Sequence, residues 1–97
     1  MASVELARAA VEDLDSLIRT HSLPADTRAR AARSLRPLER FPRMGMALEG
    51  RWEGYRVLLG HWRWLLFVYV YLEADDRVVV VTIQDARSAT SATTTGR

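Results

Sequence analysis

From Ala7 to about His21 the apolar residues Ala7, Ala10, Val11, Leu14, Leu17 and Ile18 recur at three- and four-residue steps. Glu12, Asp13, Asp15 and Arg19 fall on the other side, so the segment predicts an amphipathic helix. Ser22-Leu23-Pro24 breaks it, and Pro24 suits the first turn of a second helix, where its missing N–H costs nothing. That helix is expected to run to about Arg40 and to bury Ala29, Ala32, Leu35 and Leu38, with a kink or early end at Pro37. Asp26 places a negative charge near its N-terminus, favourable with the helix dipole. Ahead of both helices, Ser3 to Leu6 reads as a short strand.

The pattern changes after the connector Phe41-Pro42-Arg43-Met44-Gly45. Tyr55 to Leu59, Trp62 to Leu72 and Val78 to Ile83 are runs of aromatic and β-branched residues, which read as three strands. The polar turn Glu73-Ala74-Asp75-Asp76 is short enough to make the last two an antiparallel hairpin. The runs show little alternation, which suggests strands covered on both faces. Two helices cover one face; a partner chain is expected on the other. The reading is a single domain over residues 1–88, followed by a flexible Ser/Thr-rich tail over 89–97.

Composition narrows the chemistry. At 97 residues the chain suits one core, and 48% hydrophobic with 27% charged residues is globular. It has no Cys, and His21 and His61 lack metal-ligand spacing, so neither a metal nor a cofactor is expected. The longest apolar run is far short of a membrane span, and the start MASVELARAAVEDL carries acids where a signal peptide would be basic and then apolar. A cytoplasmic protein is the expectation. Every one of the 14 basic residues is Arg, and the charge is uneven: residues 28–63 hold nine Arg against three acids. Arg33, Arg36 and Arg40 line one helix stripe, which serves as a solvated face or a phosphate track.

The order of strand, helix, helix and three-stranded meander resembles the RelE/ParE family of toxins from bacterial type II toxin–antitoxin modules. The residues that carry the resemblance are AVEDLDSLI in the first helix, LERFPRMG at 38–45, Leu48-Glu49-Gly50, Tyr55-Arg56-Val57-Leu58 followed by Gly60, and Val81-Thr82-Ile83-Gln84-Asp85-Ala86-Arg87. It implies an α+β fold of order β-α-α-β-β-β, a small antiparallel sheet packed against two N-terminal helices. It also implies a growth inhibitor of the plasmid-stabilization type, neutralised by a cognate antitoxin. The arginine stripe Arg33, Arg36 and Arg40 would then receive acidic antitoxin residues, and Trp64, Tyr69 and Tyr71 would be interface anchors.

The resemblance carries two mechanisms. ParE-like members bind DNA gyrase, whereas RelE-like members cleave mRNA on the ribosome; a non-toxic interaction domain is a third reading. Cleavage requires a base, a cation for the charged transition state and an acid. The candidates are Arg56, Arg63 and Arg87 as cations, with Glu53, Glu49 or His61 as base. As ordinary residues, Arg56 and Arg63 would pair with Glu49, Glu53 or solvent, and Arg87 would cap the sheet beside Asp85. The family's catalytic lysines are missing, and no Tyr or His follows Arg87. The set is incomplete for an endoribonuclease, and gyrase binding is the reading favoured.

Overall fold

The computed structural model describes residues 1–87. Strand β1 is Ser3–Leu6, helix α1 is Arg8–His21 and helix α2 is Thr27–Leu35. Strands β2 (Met46–Ala47), β3 (Arg56–Leu59), β4 (Leu65–Leu72) and β5 (Arg77–Asp85) follow, with short 3-10 turns at Arg36–Glu39, Gly50–Trp52 and Glu73–Asp75. They form one sheet of order β1-β5-β4-β3-β2. The β2–β3, β3–β4 and β4–β5 pairs are antiparallel, but β1 runs parallel to β5, so the sheet is mixed and not purely antiparallel as expected. No helix among the described residues is long and apolar enough to cross a membrane. The tail expected over 89–97 lies outside the described residues.

Helix α1 follows the apolar period. Ala10 and Leu14 are buried and Leu17 and Ile18 pack at the core's edge, while Val11 stays exposed. The helix stops at Ser22, whose φ of 50° turns the chain into the left-handed region. Helix α2 starts later than expected and takes the early end expected at Pro37. It begins at Thr27, after a turn in which the Thr27 hydroxyl donates to the Pro24 carbonyl at 2.6 Å. At Arg36 it tightens into a 3-10 turn because Pro37 has no N–H to continue the α ladder. The buried positions are Thr27, Ala31, Leu35 and Leu38; the expected Ala29 and Ala32 are exposed.

The core lies between the helices and one face of the sheet, with Leu65, Phe67, Tyr69, Val78, Val80 and Ile83 pointing into it. Period-two alternation along β5 would put Val80 and Ile83 on opposite faces. A β-bulge corrects this: Val68 pairs with Thr82 and Tyr69 with Val80, so Val81 has no opposite residue and the alternation shifts by one. On the far face Val57, Leu66 and Val68 are covered by Leu48, Trp52 and Tyr55. The second cover thus comes from the chain's own segment between β2 and β3, where a partner had been expected. The shortest strand, β2, went unread, and β4 begins at Leu65 because Trp62 and Trp64 belong to the turn before it.

Candidate functional site

The six candidates for cleavage chemistry fall in two places, with Glu49 exposed just ahead of the Gly50–Trp52 turn. Arg56 starts β3 opposite Tyr69, and its Nη1 donates to the carbonyls of Arg43 at 3.1 Å and Gly45 at 2.8 Å. It binds the connector to the sheet and pairs with neither Glu49 nor Glu53. Glu53 is exposed at the end of the Gly50–Trp52 turn. Arg87, His61 and Arg63 lie at the other end of the meander. Arg56 faces Tyr69, whereas Asp85 beside Arg87 faces Leu65. That is four residues along β4, roughly 13 Å.

Arg87 is held in a tight ion pair. Its Nε and Nη2 donate to the two oxygens of Asp85, each at 2.9 Å, and its backbone N–H also donates to Asp85. These bonds hold the Asp85 carboxyl down at about 2, chiefly through the guanidinium, and raise Arg87 further. The guanidinium also lies 4.7 Å over the ring of Trp64, which is stacked against Trp62 at 5.7 Å. From α1, His21 packs on Trp64 at 5.1 Å and places Nε2 3.4 Å from Asp85. From α2, Arg30 lies 5.8 Å over Trp62, pairs with Asp26 and sits 3.0 Å from Nε2 of His61. In that contact the guanidinium is the donor and the His61 ring nitrogen the acceptor. Arg63 is exposed between the two tryptophans and engages no ion pair among the described residues.

This cluster joins α1, α2, the β3–β4 turn and the end of β5. Its members His21, Asp26 and Arg30 carry no site pattern in the sequence. The alternation of basic and aromatic residues in His61-Trp62-Arg63-Trp64 was the available signal, but only folding brings the two helix ends to it.

The residues expected at a partner interface divide similarly. Tyr69 is fully buried, and its hydroxyl accepts the Gly45 N–H at 2.9 Å, so it is a core residue and not an interface anchor. Burial pushes that hydroxyl's pKa up. Tyr71 is half-buried, donates to Asp76 at 2.7 Å and lies under Arg43. Trp64 belongs to the cluster. The guanidinium groups of Arg33, Arg36 and Arg40 are exposed and form no ion pair among the described residues. Leu6, Val11, Leu14, Ala31, Ala32 and Leu35, with Arg28, line an apolar recess of about 150 Å³ between the two helices and β1. No group of three or more potential metal ligands occurs among the described residues.

Residues 4–89 match the family model described as the ParE toxin of the type II toxin–antitoxin system, parDE. The chain belongs to the ParE toxin family. Solved structures share its fold. A chain of the chromosomal ParDE toxin–antitoxin system from P. aeruginosa is 15% identical, with a TM-score of 0.68 over 90% of this chain and 98% of that one. One from the RelBE2 toxin–antitoxin complex of Mycobacterium tuberculosis is 22% identical, with 0.64 over 87% and 96%. One from the intact E. coli RelBE complex is 14% identical, with 0.61 over 91% and 100%. No functionally curated protein matches the sequence.

Proposed function

We propose that this ParE-family toxin arrests growth by binding DNA gyrase, without cutting RNA, and that a cognate antitoxin neutralises it. The observation behind the mechanism is that two of the three candidate cations are engaged within the fold, at opposite ends of the meander. Arg56 serves two backbone carbonyls and Arg87 serves Asp85, with roughly 13 Å of strand between their positions. A scissile phosphate needs its cation and base within about 3 Å of the reacting atoms. The apolar recess and the exposed Arg33 support an antitoxin with apolar and acidic side chains. The toxin–antitoxin complexes among its structural relatives support the same partner.

Induction of the toxin should trap gyrase-dependent DNA breaks and leave message intact. Arg87→Ala should retain growth arrest, because Arg87 acts within the fold. Ribosome-dependent mRNA cleavage that Arg56→Ala or Arg87→Ala abolishes would establish the endoribonuclease instead.

A further inference from the structure

Three large apolar side chains stand in solvent on one connector: Phe41 is 61% exposed, Met44 50% and Met46 64%. Exposed apolar residues on a floppy loop would mean little. This loop is fixed. Arg56 donates to the carbonyls of Arg43 and Gly45, and the Gly45 N–H donates to the buried Tyr69 hydroxyl. The Arg43 guanidinium pairs with Glu73 and lies 5.0 Å over the Tyr71 ring. Further bonds run from the Phe41 N–H to the Pro37 carbonyl and from the Met44 N–H to the Phe41 carbonyl.

We propose that the Phe41–Met46 loop is the surface through which this toxin grips its protein target, and that the target meets it with an apolar patch bordered by acids. Binding energy concentrates in large apolar side chains presented without an ordering cost, which is what the pinned loop provides. The chemistry of the border follows from charge. Arg36 and Arg40 lead into Phe41, both are exposed, and neither forms an ion pair among the described residues. Guanidinium groups left uncompensated at the edge of an apolar patch favour carboxylates opposite them and repel basic surfaces.

The surface reaches beyond the recess between the helices. That recess touches Leu6 on β1, whereas Met46 lies on β2 at the opposite edge of the sheet. Four strand spacings, roughly 19 Å, separate those edges. The inference rests on the reading of the chain as a protein-binding toxin, but not on which protein it binds.

The test compares wild type, Phe41→Ser/Met44→Ser, Arg40→Glu and Arg40→Lys for growth arrest on induction, for inhibition of supercoiling by purified gyrase, and for thermal unfolding. The double variant should keep the wild-type unfolding temperature and lose growth arrest. Arg40→Glu should require at least ten times more protein for the same inhibition, and Arg40→Lys should behave as wild type. Growth arrest retained by the folded double variant overturns the proposal. If wild type arrests growth without inhibiting gyrase and the double variant does neither, the surface stands and gyrase is the wrong target. Wild type that fails to arrest growth overturns both.

Discussion

At the residue scale, Gly45 shows how much one position determines. A Cβ there would lie 2.7 Å from both the Tyr69 hydroxyl and the Val57 carbonyl. The first is buried and hydrogen-bonded, and the second belongs to the β3 backbone, so neither yields cheaply. Gly45→Ala should therefore destabilise the protein by about 1–3 kcal/mol, the usual cost of overpacking a closed site. Urea unfolding would show this as a lower midpoint with unchanged slope. The sequence marked Gly45 only as a point where the chain turns. Its close approach to Tyr69 was illegible because those residues meet through β3 and β4, far apart in the chain. The same contact explains why Tyr69 reads as an interface aromatic in the sequence and is a core residue in the fold.

At the scale of elements, the helix and strand runs were legible wherever side-chain period and burial coincide. Leu14, Leu35, Phe67 and Val80 all point inward, as their patterns require. The α2 face was misjudged because Ala29, Ala31 and Ala32 are similar small side chains one or two positions apart, and a short helix gives few periods to choose between them. Strand β2 was missed since both of its residues are exposed and its only partner is β3. The mixed sheet was hidden for another reason. Nothing local states that β1 will align parallel with β5.

β1 stops at Leu6 opposite Val80, leaving the rest of β5 without a strand on that side. Asp13 of α1 fills the gap, accepting the Thr82 hydroxyl at 2.6 Å and the Ile83 N–H at 3.1 Å. Its carboxylate stands where the next strand's carbonyls would be. Asp13→Ala should cost about 1–3 kcal/mol, because a partly buried amide and hydroxyl lose their acceptor. Asp13→Asn, which keeps an oxygen acceptor, should cost less. Chemical denaturation of the two variants side by side measures the difference.

Over the whole molecule, the cluster around Asp85 ties both helices to the sheet and confers a pH dependence of known sign. The folded carboxyl sits at about 2, below the ordinary 3.8. A depressed carboxyl contributes its full stabilisation above the ordinary value and loses it as pH falls through the folded one. Asp85→Asn should consequently lower the unfolding temperature at pH 7, and the gap from wild type should narrow from about pH 4 toward pH 2. A gap that stays constant over that range would remove the ion pair from the account. The candidate site was legible in its parts, with Arg87, His61 and Trp64 all visible as chemistry in the sequence. Arg87 beside Asp85 was legible as a local cap of the sheet, whereas the bonding of Arg56 to a distant loop depends on the fold as a whole.

The parallel seating of β1 against β5 also constrains the order of events during synthesis. Val4 is paired with Val78, so the first strand made waits for the last before its edge is satisfied. Contacts between distant parts of a chain form slowly because a long loop must close first. β5 is also the strand against which α1 packs, so a nascent chain that has not yet released residues 77–85 lacks the central support of its core. The domain thus acquires its shape only once Arg77–Asp85 is free to pair, and a chain halted before Arg77 lacks the strand that seats both β1 and α1.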